Sequence, residues 1–146
     1  FREIVGNIRI EINKSTNQLI SQSTNKMKKF DIHERIFDFV IRTLRMIKYI
    51  PPTVENKIII NQLVRAVTSV GANDQEADGV SSKRDFIHCY TIVRKELKET
   101  RYWLSILAEL DSKLKSRLGD LLQENSELIK IVSSIISKAA VSIKNK

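Results

Sequence analysis

The sequence predicts an all-helical, up-and-down antiparallel four-helix bundle, and three observations carry that prediction. The 146 residues include only 4 Gly and 2 Pro, with 42% apolar residues. That is too little punctuation for many short strands and enough apolar surface for one core. From residue 32 onward, apolar residues recur at spacings of three and four, the period of a helix with one buried stripe. The breaks between these runs are short, which makes successive helices antiparallel neighbours.

The first helix is expected over residues 32–50. Asp31 can cap its start with Glu34 three residues on, and Pro51-Pro52 stops it. Its apolar stripe is Ile32, Ile36, Val40, Leu44 and Ile47, widened by Phe37 and Ile41. The second helix follows Thr53, an N-cap residue, and runs to about residue 78, where Gly79 offers a left-handed C-cap. Ile59, Leu63, Val67 and Val70 form its core line. The third begins after Ser81-Ser82, with Ser82 and Asp85 at capping-box spacing, and extends to about residue 110. Phe86, Tyr90, Val93, Leu97, Leu104 and Leu107 share one of its faces.

The fourth helix opens near Asp111-Ser112. Leu114, Leu118, Leu121, Asn125, Leu128, Val132, Ile135 and Ala139 alternate by four and three, a heptad seam with an asparagine inserted. Leu122, Ile129, Ile136 and Ile143 add an adjacent stripe, so the apolar face is broad and must be covered.

Residues 1–29 differ in texture. Ile8, Ile10 and Ile12 alternate as in a short strand, and a polar stretch follows to Lys26. The segment reads as an appendage to a bundle domain of residues 30–146. Met27, just ahead of Lys28-Lys29, is expected to mark the natural start; the competing expectation is an arm that packs on a neighbour.

Charge bears on partners. Lys and Arg number 25 against 17 Asp and Glu, a net charge of +8, which favours polyanions such as nucleic acid. Residues 1–29 carry six basic and two acidic residues and residues 112–146 carry seven and three, so the excess sits at the ends and the middle is nearly neutral. Lys130, Lys138, Lys144 and Lys146 are the candidate phosphate contacts, beside the plainer reading of a solvated lysine-bearing tail. A lone cysteine, the absence of a run long enough to span a bilayer, and charges scattered through the first residues point to a cytoplasmic protein with no membrane partner.

The second helix carries another line, Gln62, Ala66, Ser69, Asn73 and Glu76, with Arg65 beside it. The third answers with Cys89, Ile92, Glu96, Glu99, Trp103 and Ile106. Small and polar residues facing interrupting carboxylates suggest a polar network, within the bundle or at an oligomer interface, in which Arg65, or Arg42 and Arg45 of the first helix, neutralises Glu96 and Glu99. Inward carboxylates are also the raw material of di-iron sites, but those want Glu-x-x-His on two helices. The sequence offers only Asp85-x-x-His88, with His33 elsewhere, so no metal or other cofactor is expected. Cys89 has no matched base and no partner thiol nearby in sequence, and no phosphate loop or nucleophile motif is present; no catalytic residue is assigned. Trp103, beside Tyr102, reads as core or interface before it reads as a base-stacking platform.

Gln62-Leu63 with Arg65-Ala66, Ser69-Val70, Asn73, Glu76-Ala77, Lys95-Glu96, Glu99-Thr100 and Tyr102-Trp103-Leu104 together resemble the four-helix bundle family encoded by intervening sequences of bacterial 23S ribosomal RNA genes. The resemblance covers about residues 30–136. It implies an up-and-down bundle assembled as a ring-like homopentamer, similar to the accessory variability protein of diversity-generating retroelements, a basic pentamer that binds nucleic acid and a reverse transcriptase. Arg65, Asn73, Glu76, Glu96 and Glu99 fall on the motif positions, which carry no agreed catalytic role. The expected function is therefore a non-enzymatic oligomeric bundle that binds RNA or DNA through a basic surface. The alternative is a scaffold that recruits a polymerase or ribosome-associated protein.

Overall fold

Backbone N–H groups at a helix start need acceptors, and local side chains supply them. Thr53 accepts from the Asn56 N–H at 3.2 Å, Ser82 from Asp85 at 3.1 Å, and Asp111 from Lys113 at 2.8 Å. These caps separate the helices of the computed structural model, which describes residues 31–144, for Lys144 the backbone alone. The helices are α1 (Ile32–Met46), α2 (Val54–Gly79), α3 (Lys83–Leu110) and α4 (Ser112–Lys144). The appendage, Met27, Lys146 and the alternating isoleucines lie outside the described residues, among which there is no strand.

Two expected ends are corrected. The first helix does not run as one α-helix to Ile50; α1 tightens into a 3₁₀ turn at Ile47–Tyr49, and Ile50 is extended, as the residue before a proline must be. Gly79 does not take the left-handed conformation, since no described glycine has positive φ. It is instead the last residue of α2, and extended Val80 leads directly to the Ser82 cap.

Side-chain pairs fix the topology. His33 at the start of α1 meets Asp74 near the end of α2. Asp74 in turn meets Tyr90 near the start of α3, and Lys83 at the start of α3 reaches Ser142 near the end of α4. Arg35 of α1 pairs with Glu124 of α4, while the Arg117 guanidinium of α4 lies 5.0 Å from the Tyr49 ring centroid. Every neighbour is antiparallel, and the four helices close into an up-and-down bundle. The backbones of α2 and α3, and of α3 and α4, approach closely, whereas α1 meets the others mainly through side chains.

The core follows the expected stripes on three helices. Leu63, Val67, Val70, Val93, Leu97, Leu104, Leu107, Leu118, Leu128 and Val132 are buried, and the Asn125 amide donates to the Leu97 carbonyl at 3.0 Å. On α1 the stripe is rotated. Ile36, Phe39, Val40 and Thr43 are buried, whereas Phe37, expected to widen the core face, is 64% exposed. Burying Thr43 costs no unmet donor, because its hydroxyl donates to the Phe39 carbonyl at 2.9 Å.

A polar seam and a candidate nucleic-acid interface

The stripe of small and polar residues on α2 lies along α3, and the close backbone approach of the two helices is what Ala66 and Ser69 permit. On the outer edge of this seam Arg65 forms an ion pair with Glu99 and also donates to Gln62 Oε1 at 3.2 and 3.3 Å. The Trp103 indole N–H donates to the same Glu99 carboxylate at 3.3 Å. Arg65, Glu99 and Trp103 thus form one half-exposed cluster. Glu96 lies a turn before Glu99 and is 6% exposed; among the described residues its Oε2 finds no hydrogen-bond partner. The expectation that Arg42 or Arg45 neutralises these acids is corrected: Arg42 lies 3.6 Å from Asp38 on its own helix, and Arg45 is exposed. Asn73 bonds within α2, donating to Ser69 O at 2.9 Å and Oγ at 3.2 Å, and Glu76 is exposed.

The most deeply embedded acid is Asp74, which the sequence patterns above do not single out. It is 1% exposed. His33 Nδ1 lies 2.9 Å from Oδ2 and donates to it, and the Tyr90 hydroxyl donates to Oδ1 at 3.0 Å. Both oxygens are occupied, so the group ties α1, α2 and α3 together at one end. The signal was present: Asp74 continues the line Ile59, Leu63, Val67, Val70 by four residues. Cys89, buried in the seam, has its thiol pushed up by burial and further by the charges of Glu76 and Asp85. It remains a protonated small apolar group at neutral pH.

The predicted phosphate contacts stand on one helix. Lys130 and Lys138 are exposed on α4; the side chain of Lys144 and all of Lys146 lie outside the described residues. The nearby acids are paired from α1: Arg35 binds Glu124 through two donors, at 2.6 and 2.9 Å, and also binds Glu127. That guanidinium lowers the Glu124 pKa below the usual carboxylate range, against the opposing effect of burial.

The charge count along the chain missed a second basic surface, because it summed α3 to near neutrality. Within residues 86–108 the only acids are Glu96 and Glu99. Both turn to the α2 seam, while Lys95, Lys98 and Arg101 are exposed on other faces. The signal that finds them is the phase of the α3 stripe: these residues lie off the line Cys89, Glu96, Trp103.

The class these features define is an antiparallel four-helix bundle with a polar α2/α3 seam, two buried acids, Asp74 and Glu96, and exposed lysines on α3 and α4. The chain belongs to the 23S rRNA-intervening sequence protein family, whose profile matches residues 28–134. Its fold is similar to the crystal structure of a protein of unknown function from the S23 ribosomal protein family of Bacteroides thetaiotaomicron, with a TM-score of 0.67 at 28% identity. That likeness covers 73% of this chain and 98% of the other. No curated protein matches the chain. Among the described residues, no helix is long and apolar enough to cross a membrane.

Proposed function

We propose that this protein is a non-enzymatic, homo-oligomeric bundle of the cytoplasm that binds RNA or DNA through a basic surface without a resident cofactor. One observation carries it: Arg35 draws Glu124 and Glu127 of α4 to the α1 side, leaving Lys130 and Lys138 exposed on a chain of net charge +8. Phosphate contact by such lysines is sequence-tolerant and weakens steeply with salt. The family's name makes ribosomal RNA the first ligand to try. The resemblance suggests a pentamer; of the polar seam we assign the outer residues Arg65, Glu76, Glu99 and Trp103 to assembly, and Asn73 and the buried Glu96 to the network within the bundle.

The experiment is fluorescence anisotropy against structured ribosomal RNA, unrelated RNA and duplex DNA at low and near-physiological salt, with oligomer mass recorded on the same sample. Saturable binding that falls with salt is expected, and reversing charge at Lys130, Lys138 and Lys144 weakens it. Unchanged affinity in that variant removes α4 from the interface. No binding at low salt overturns the proposal and leaves the scaffold reading, which the exposed apolar side chains of Ile58 (62%) and Leu110 (60%) favour.

A further inference from the structure

The α3/α4 side of the bundle gathers what the two helices leave outside. Arg94, Lys95, Lys98 and Arg101 occupy two turns of α3, with the neighbouring acids turned into the α2 seam. The Asn125–Leu97 and Lys83–Ser142 bonds set the antiparallel register of α4, which brings Lys130 level with Arg94. Arg101 is fixed to α4 by its bond to Ser126. One turn beyond Lys98 stands Tyr102, 58% exposed. Its ring is braced edge-on by Trp103, with centroids 4.9 Å apart at 66°, and Trp103 is held by Glu99, itself paired with Arg65.

We infer that this face binds a single-stranded stretch of nucleic acid, its phosphates along α3 and Lys130 and one unstacked base on Tyr102. The inference rests on the nucleic-acid reading above and names the form of ligand that the surface fits. Residues 94–101 rise about 10 Å along the helix, a span that a short stretch of backbone can follow. Lysines alone would suit any polyanion. An exposed, braced aromatic at the end of the row adds a platform that a base inside a duplex cannot reach, because its faces are already stacked, whereas a single strand can place a base there. The seam therefore has a second consequence: it buries Glu96, pairs Glu99 with Arg65, and props the stacking ring.

The test is anisotropy with a fluorescein-labelled unstructured RNA oligonucleotide and the same strand annealed to its complement, using the full chain and recording oligomer mass. The wild type is expected to prefer the single strand. Tyr102→Ala weakens single-strand binding about ten-fold, the size of one lost base stack, with duplex affinity little changed; Tyr102→Phe retains the ring and the affinity. Lys95→Glu with Lys98→Glu weakens both ligands and flattens the salt dependence, whereas Lys57→Glu, exposed on α2, has a smaller effect. Duplex preference, full single-strand affinity in Tyr102→Ala, or a change of oligomer mass in that variant overturns the inference while nucleic-acid binding stands. Absence of wild-type binding to either ligand at low salt overturns both.

Discussion

Glu96 and Glu99 differ by less than one helical turn, yet they meet opposite fates. Glu99 is half-buried and bonded to Arg65 and Trp103, whereas Glu96 is buried with Oε2 unmatched. A buried carboxylate without a partner opposes folding, and an apolar side chain of similar volume relieves that penalty. Glu96→Met is therefore expected to stabilise the fold by about 1–3 kcal/mol, read as a rise in the urea midpoint with unchanged slope. A lower midpoint, accompanied by a smaller particle mass, would mean that a second copy completes the site. The sequence placed both acids on one stripe, since a three-residue step keeps a face. It did not separate them, because depth along a stripe is set by the opposing helix, here by how closely Ala66 and Ser69 let α3 approach. Asp74 was not singled out because a charged residue does not extend an apolar stripe, although its spacing from Val70 placed it in the core.

Among the helices, α1 is held differently from the rest. Its backbone stands off while Arg35 and His33 reach across to α4 and α2. Its phase was also the least legible, because Phe37 and Phe39 point to nearly opposite sides of a helix and both are apolar. Periodicity alone offers no choice between them; packing buries Phe39. A short element with four buried side chains and a more distant backbone opens more readily than one with close backbone packing, so α1 amides should exchange faster than those of α3. Arg35→Gln should widen that gap and cost about 1–2 kcal/mol, after allowing for the partial exposure of the pair. The sign with pH follows from Glu124, whose folded pKa lies below its unfolded value of about 4.3. Its stabilisation is fully present above the unfolded pKa and is lost as pH falls through the folded one. The stability difference between wild type and Arg35→Gln should therefore be constant near neutrality and shrink below about pH 4.3. A difference that persists in stronger acid would assign the effect to packing of the Arg35 stem.

For the whole molecule, the four helices and most core residues were legible because caps and heptad spacing are local, whereas the charge pattern was not. Counting along the chain put the positive excess at the two ends. Folding redistributes it, since Arg35 pairs with Glu124 and Glu127 of α4 and the α2 seam takes Glu96 and Glu99 of α3, leaving Lys95, Lys98, Arg101 and Lys130 exposed along the middle of α3 and α4. A net charge of +8 also repels itself, and compaction raises that repulsion. Salt should consequently act with opposite signs on folding and on binding. Screening shortens the reach of surface repulsion from about 30 Å at 0.01 M to about 8 Å at 0.15 M, while it acts less on the part-buried Arg35–Glu124 clamp. Between those two chloride concentrations the Tm should rise by a few degrees, while affinity for any phosphate chain falls. Thermal melts and anisotropy on one preparation measure both. Should the Tm fall with salt instead, attractive ion pairs outweigh the net repulsion, and the basic side must be neutralised within the assembled particle.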